Sequence, residues 1–147
     1  MTRQISILTG LHDMKEYLND DDYVIIHDAA RPFVSNKIID DCVMAINEGK
    51  NFLVSTPSKD SIYLKTPLTS INRDSICLAQ TPQGGLKLDL LNAHILAKNE
   101  NLAVTDDISL LLKFSDKEIK LVDGEDKNFK ITTQIDYILA KELIKND

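Results

Sequence analysis

Two cysteines, no tryptophan, five glycines and four prolines in 147 residues leave several classes of protein without support. With Cys42 and Cys77 as the only thiols, neither a disulfide scaffold nor a cysteine-rich zinc module can be assembled. Each sits in an apolar stretch, DDCVMAI or DSICLAQ, and reads as a reduced core residue. His12, His27 and His94 fall in unrelated segments, so no histidine zinc site is expected, and His94 reads as a helix-surface or boundary residue. No apolar run approaches the ~20 residues of a membrane span, and the N-terminal stretch lacks a basic-then-apolar leader. The expectation is a cytoplasmic chain with no membrane partner.

Positive charge is also in short supply. Seventeen Lys and Arg stand against 23 Asp and Glu, a formal net charge of −6, which argues against a broad basic face for nucleic acid. A local anion pocket is still compatible with that balance. The glycines at 10, 49, 84, 85 and 124 form neither GxxxxGK nor GxGxxG, and no GxSxG occurs, so a P-loop, a dinucleotide fingerprint and a nucleophile elbow are all missing.

What is present suffices for one folded domain over residues 1–147. Apolar residues make up 43% and charged residues 27%, an ordinary globular balance. Ile5, Leu8, Leu11, Met14 and Leu18 recur at helical spacing, which predicts a helix within 2–18. Asn19 to Asp22 read as a solvated acidic connector. The run Tyr23-Val24-Ile25-Ile26 reads as a strand buried on both faces. Ser35 then caps a helix through Ile38, Cys42 and Ile46 that stops at Gly49, and NFLVS over 51–55 is the next strand. Together these make a βαβ unit.

Next, residues 61–65 and 75–80 read as two short strands of a projecting arm, spanning about 58–78, and Thr81 to Gly85 read as a turn cluster. Helices are expected over 86–98, over 106–114 with Thr105 as cap, and after a Thr133/Asp136 capping box. EIKLV at 118–122 and FKIT at 129–132 read as strands. This alternation predicts an α/β class with a mostly parallel, Rossmann-like sheet and one inserted β-arm.

In such a sheet, ligands gather beyond the carboxyl ends of the strands. His27-Asp28-Ala29-Ala30-Arg31-Pro32 follows the first strand. Asp28 there either holds Mg²⁺ or a ribose, with Arg31 meeting a phosphate, or caps its own loop with Arg31 as its ion-pair partner. Thr105-Asp106-Asp107 is either a second acidic site or a dipole-stabilised helix start. Lys130, inside an apolar segment, either reaches a ligand or snorkels from an edge strand. Arg73 alone would pass for a solvent-facing residue of the arm.

The order of these motifs resembles a known family. TRQxS at 2–6, YVIIHDAARP at 23–32, Arg73 followed by Gln80-Thr81-Pro82-Gln83, Thr105-Asp106-Asp107, and Asn128 to Thr133 look like the 2-C-methyl-D-erythritol 4-phosphate cytidylyltransferases of the non-mevalonate isoprenoid route. The resemblance covers essentially the whole chain. It implies a homodimeric nucleotidyltransferase that joins CTP to a sugar-alcohol phosphate with release of pyrophosphate, using Mg²⁺. By the same resemblance, Arg3 and Ser6 lie near the cytidine, Asp28 serves Mg²⁺ and nucleotide with Ala29 beside it, and Arg73 and Lys130 position the substrate phosphate. Ser61, Thr105 and Asp106 line the substrate side, with Ser61 and Arg73 reaching across the dimer on the arm.

The chain departs from the family pattern in four places. The family opens with a strand and a glycine-rich loop carrying an Arg and a Lys, whereas here Met1 adjoins the TRQxS motif. The expectation is a fragment or truncated product that turns over CTP slowly or not at all by itself. Gly85 stands where an aromatic is usual, Ser61 where Thr is, and Lys127 where an acid is common. Three other readings are carried: ribitol-5-phosphate cytidylyltransferase, a noncatalytic dimerising remnant, and, more weakly, a Mg²⁺-dependent phosphatase of α/β type.

Overall fold

The computed structural model describes residues 3–146. Thr2, the first residue of the TRQxS motif and of the expected first helix, lies outside them. The helices are α1 (Arg3–Asp13), α2 (Asn36–Asn47), α3 (Lys87–Asn99), α4 (Asp107–Phe114) and α5 (Gln134–Asn146). The strands are β1 (Tyr23–Ile26), β2 (Asn51–Pro57), β3 (Ile62–Lys65), β4 (Leu68–Ile71), β5 (Cys77–Leu86) and β6 (Ile119–Asp123).

The main sheet has the order β1-β5-β2-β6. β2 and β6 are parallel, while β5 runs antiparallel to both β1 and β2. Three strands therefore share one direction around a single reversed central strand, and β1 and β2 flank β5 rather than each other. The expected βαβ unit is a crossover that leaves room for a later strand. β3 and β4 pair antiparallel as a separate two-stranded arm.

Local chemistry accounts for the element ends. Ser35 Oγ accepts from the Ile38 N–H at 3.2 Å, the N-cap of α2. Gly49 has φ +73° and its N–H bonds the Ile46 carbonyl at 2.8 Å, the left-handed stop that glycine supplies without a Cβ penalty. Asp106, not Thr105, caps α4, its carboxylate accepting from the Ser109 N–H at 2.8 Å. The box at α5 is reciprocal: Thr133 Oγ1 accepts from the Asp136 N–H at 3.2 Å, and Asp136 Oδ2 accepts from the Thr133 N–H at 2.7 Å.

Helices cover both sheet faces. On one, Ile38, Cys42 and Ala45 of α2 pack on Phe52, Val54 and Val122; burying the Phe52 side chain alone is worth about 1.5–3 kcal/mol. On the other, Leu11, Leu90, Ala93, Ala97, Ile108 and Leu111 of α1, α3 and α4 form the second core cluster with Val24. Cys42 is buried as expected, and burial pushes its thiol up to about 12. Cys77, expected in the core, is instead exposed: it opens β5 next to the arm, paired with Pro57 at the end of β2.

Four other expectations are corrected. The first helix gives way at Asp13 to a 3-10 turn, Met14–Glu16. The strand partner of 62–65 is 68–71, not 75–80. Residues 81–85 belong to β5, and 129–132 are not a strand. Gly84 and Gly85 lie in β5 because a side chain would collide there. A Cβ on Gly84 would lie 2.8 Å from the Val24 carbonyl oxygen, and one on Gly85 2.7 Å from Asn51 Oδ1 and 2.9 Å from Leu111 Cδ1. Close backbone approach, rather than a turn, explains this glycine pair.

Candidate functional site

Between the Leu53↔Gln83 and Ser55↔Ala79 pairs, β5 carries three residues against one in β2. Gln80, Thr81 and Pro82 therefore bulge from the ladder opposite Val54. Bulges re-aim side chains, and this one turns Thr81 toward the loop after β1 and Gln80 toward the loop after β6. Thr81 Oγ1 accepts from the Asp28 N–H at 3.0 Å.

A second loop closes from the other side. Asn128 is fully buried, and its Nδ2 donates to Gln80 Oε1 at 3.0 Å and to the Thr81 carbonyl at 2.8 Å. Arg31 Nη1 donates to the Asn128 carbonyl at 2.7 Å, and the Ile131 N–H to the Ala30 carbonyl at 2.8 Å. Phe33 and Phe129 stack with centroids 5.7 Å apart. These contacts lock the 28–33 and 128–132 loops together, and Lys130 lands on Asp28.

The outcome is one carboxylate ringed by cations. Asp28 Oδ2 is 2.9 Å from Lys130 Nζ and 3.9 Å from Arg31 Nε, and Oδ1 is 3.5 Å from Arg3 Nε. Burial pushes the Asp28 carboxyl up, but Lys130 and Arg3 outweigh it and hold the group below its ordinary value. Burial pushes the Arg31 guanidinium down, against the pull of Asp28. Arg3, Asp28, Arg31, Gln80, Thr105 and Lys130 are among the residues lining a polar cavity of about 180 Å³ at this point. A larger apolar groove, about 780 Å³ between α1 and α3, holds none of these Asp28 partners.

Of the residues singled out in the sequence, Arg3, Asp28, Thr105, Asp106 and Lys130 all border this cavity. Ala29 lies in the exposed turn beside Asp28. Ser6, on α1, is not among the lining residues. Arg73 and Ser61 stand on the exposed arm, where Arg73 Nη1 donates to the Lys59 carbonyl at 3.4 Å. Within one chain, Arg73 does not join the Asp28–Lys130 cluster.

Sequence reasoning missed Asn128, Gln83 and His94. His94 is 1% exposed, and its Nε2 lies 3.0 Å from Asp107 Oδ1. The Asp107 N–H donates to Gln83 Oε1 at 3.3 Å. The expectation of a helix-surface or boundary residue is thus corrected, and the signal was available: Leu90, Ala93, His94 and Ala97 occupy an i, i+3, i+4, i+7 stripe that is buried throughout.

A family model described as IspD, 2-C-methyl-D-erythritol 4-phosphate cytidylyltransferase, matches residues 1–146. The chain belongs to this family. It is 35% identical over 153 residues to the 2-C-methyl-D-erythritol 4-phosphate cytidylyltransferase of Prochlorococcus marinus strain MIT 9215, covering 99% of this chain and 65% of the relative. To the Clostridium perfringens strain SM101 protein of the same name it is 37% identical over 151 residues, covering 97% and 63%. The crystal structure of the Thermus thermophilus protein of that name superposes with a TM-score of 0.84 at 31% identity, over 98% of this chain and 70% of that one. The chain thus spans less than two thirds of the length of these two curated relatives.

Proposed function

We propose that this chain takes part in transfer of CMP from CTP to 2-C-methyl-D-erythritol 4-phosphate with release of pyrophosphate. The observation that carries the reading is the convergence of Lys130, Arg3 and Arg31 on Asp28 beyond the end of β1, within a family whose relatives bear that name. Nucleotidyl transfer needs an in-line nucleophile and fixed cations facing the developing charge, with little covalent help from protein groups. The attacking atom is an oxygen of the substrate's own phosphate. It forms a bond to the α-phosphorus of CTP as the bond to pyrophosphate breaks, and no protein base is required.

Lys130 and Arg31 sit where they would meet phosphate oxygens once a substrate anion competes with Asp28 for them. The described residues include no group of three or more His, Cys, Asp or Glu that could hold a metal. Asp28 fits Mg²⁺ in the way that ion is commonly held beside nucleotides, with one carboxylate and the remaining sites taken by phosphates and water. Bound there, Mg²⁺ would neutralise phosphate charge; Asp28 would orient it, while Lys130 and Arg3 hold the carboxylate ionised.

Thr105 and Asp106 border the same cavity and are assigned to the sugar-alcohol side. The arm exposes Tyr63, Leu64 and Leu68, at 57%, 52% and 79%, an apolar tip that supports pairing with a second copy. In that dimer Ser61 and Arg73 would serve the partner's pocket.

The test is calorimetric titration of CTP with Mg²⁺ into the chain and into D28N and K130A, together with pyrophosphate release in the presence of either 2-C-methyl-D-erythritol 4-phosphate or ribitol 5-phosphate. The reading requires CTP binding that weakens at least ten-fold in both variants, and any turnover to favour the methylerythritol substrate. Equal binding by wild type and D28N, or preference for ribitol 5-phosphate, overturns it.

A further inference from the structure

The cation ring around Asp28 has a buried support that the reaction itself does not use. Arg3 bridges two carboxylates: its Nε is 3.5 Å from Asp28 Oδ1, and its Nη2 is 2.6 Å from Asp107 Oδ2. Asp28 is a partly exposed residue of the site, whereas Asp107 is 1% exposed, at the first turn of α4. A carboxylate so buried persists only if its lone pairs are met. Arg3 meets Oδ2, and His94 Nε2, on α3, meets Oδ1 at 3.0 Å.

The direction of this contact follows from its partners. An ionised carboxylate only accepts, so His94 must donate from Nε2. Its Nδ1 is buried with no hydrogen-bond partner, so the contact to Asp107 is the one that orients the ring. His94 Nε2 is therefore a buried donor aimed at Asp107. Gln83 holds the Asp107 backbone from the other side. The chain of contacts runs His94, Asp107, Arg3, Asp28, from the helical core to the cavity.

We propose that His94 is a positioning residue: by fixing Asp107 it holds the Arg3 guanidinium in the orientation that the nucleotide pocket requires. Without that donor, Asp107 Oδ1 is left unmet, the carboxylate is no longer held in one orientation, and the Arg3 guanidinium loses the fixed acceptor that aims it at Asp28. The proposal rests on the nucleotide-binding reading for its functional consequence, but its structural half does not.

Two readouts separate these halves. In nitrogen-15 NMR of the chain, Arg3 held between two carboxylates should give a guanidinium with hindered rotation and slowly exchanging Nη protons. In His94→Leu, similar in bulk but lacking the donor, that signature should be lost, as one charge-assisted contact is removed. By calorimetry the Kd for CTP with Mg²⁺ should rise roughly ten-fold in His94→Leu. Arg3→Met, at a partly exposed position, should raise it at least as much, and the double variant should add nothing to Arg3→Met, since both break one path.

His94→Gln, whose amide reaches about as far as the imidazole Nε2, should restore both readouts. If His94→Leu does not fold, His94→Asn replaces it: the shorter amide must lose the Arg3 signature while His94→Gln keeps it. A folded His94→Leu or His94→Asn with the Arg3 signature intact overturns the proposal. So do additive effects of His94 and Arg3 substitutions on CTP affinity. If no variant, and not the wild type, binds CTP while the Arg3 signature still depends on His94, the positioning role stands and the nucleotide reading falls.

Discussion

Lys130 Nζ lies 2.9 Å from Asp28 Oδ2, although the two residues are 102 positions apart in the sequence. The pair exists because Asn128, Arg31 and the stacked Phe33 and Phe129 lock those loops before either charged side chain is considered. Its electrostatic consequence can be measured. Burial raises the Asp28 carboxyl, and Lys130 and Arg3 more than reverse it. A group whose folded value is depressed contributes stability above its unfolded value and loses it as pH falls through the folded one.

In K130A the Asp28 carboxyl should therefore titrate at higher pH than in wild type. The acid-side loss of stability attributable to Asp28 should begin at correspondingly higher pH. Carbon-13 NMR of the labelled carboxylates reports the first and urea unfolding between pH 3 and pH 6 the second. An Asp28 titration that K130A leaves unmoved would show that the contact carries no weight.

The two glycines of β5 give a packing prediction. At Gly85 a Cβ would meet Asn51 Oδ1 at 2.7 Å and Leu111 Cδ1 at 2.9 Å. Asn51 is not free to withdraw, because that oxygen accepts from the Leu86 N–H at 3.1 Å. Gly85→Phe and Gly84→Ala should each destabilise the fold by about 1–3 kcal/mol, the usual cost of overpacking. The urea midpoint at constant m-value checks both. Wild-type midpoints would mean that the sheet relaxes without cost at this position.

Much of this architecture was legible from periodicity and caps, and what escaped shares a cause. Ser35, Gly49 and the Thr133/Asp136 box announce helix ends through chemistry confined to a few neighbouring residues, and they appear where expected. β5 was read as strand followed by turn because Pro82, Gly84 and Gly85 punctuate it. Their reasons, a bulge opposite Val54 and close approach of Phe52 and Asn51, involve residues some thirty positions away. FKIT has the composition of a strand, but Lys130 and Ile131 are held by the 28–33 loop instead of a ladder. At the site, Asp28, Arg31 and Lys130 stood out as charges beside apolar runs. Asn128 and His94, the residues that do the holding, left no such mark.

Asn128 should prove costlier to remove than its neighbour Lys127. Its side-chain amide is buried and donates to both Gln80 Oε1 and the Thr81 carbonyl, while Gln80 Nε2 in turn donates to the Glu125 carbonyl at 3.0 Å. Asn128→Ala leaves two buried acceptors unmet, at about 1–3 kcal/mol for such a loss. It should also loosen the register between the β5 bulge and the Lys130 loop. Hydrogen exchange at the Ile131 N–H, which bonds the Ala30 carbonyl, should then accelerate more than the global destabilisation accounts for. Acceleration equal to that of the core strands would mean that Asn128 supports the fold but not the loop pairing.

The amino end of α5 has its own acid response, distinct from that of the site. Asp136 accepts from the Thr132 and Thr133 N–H groups at 2.9 and 2.7 Å and from the Thr132 hydroxyl at 3.1 Å. Those donors favour the ionised form and lower its pKa from 3.8 to about 2. The sign follows the depressed-carboxylate case: the capping box holds fully above 3.8 and fails as pH falls toward about 2. Protonation of Asp136 should loosen this helix end without passing to the site, because its hydrogen bonds run to Thr132 and Thr133 and not to the Asp28 cluster. Amide exchange at Gln134 to Tyr137, followed from pH 5 down to pH 2, should rise with protonation of Asp136 beyond the intrinsic pH dependence of exchange. In D136N that excess should vanish, because the cap is already weakened at every pH. A carboxyl titrating near the usual aspartate value would show that the box is not formed in solution.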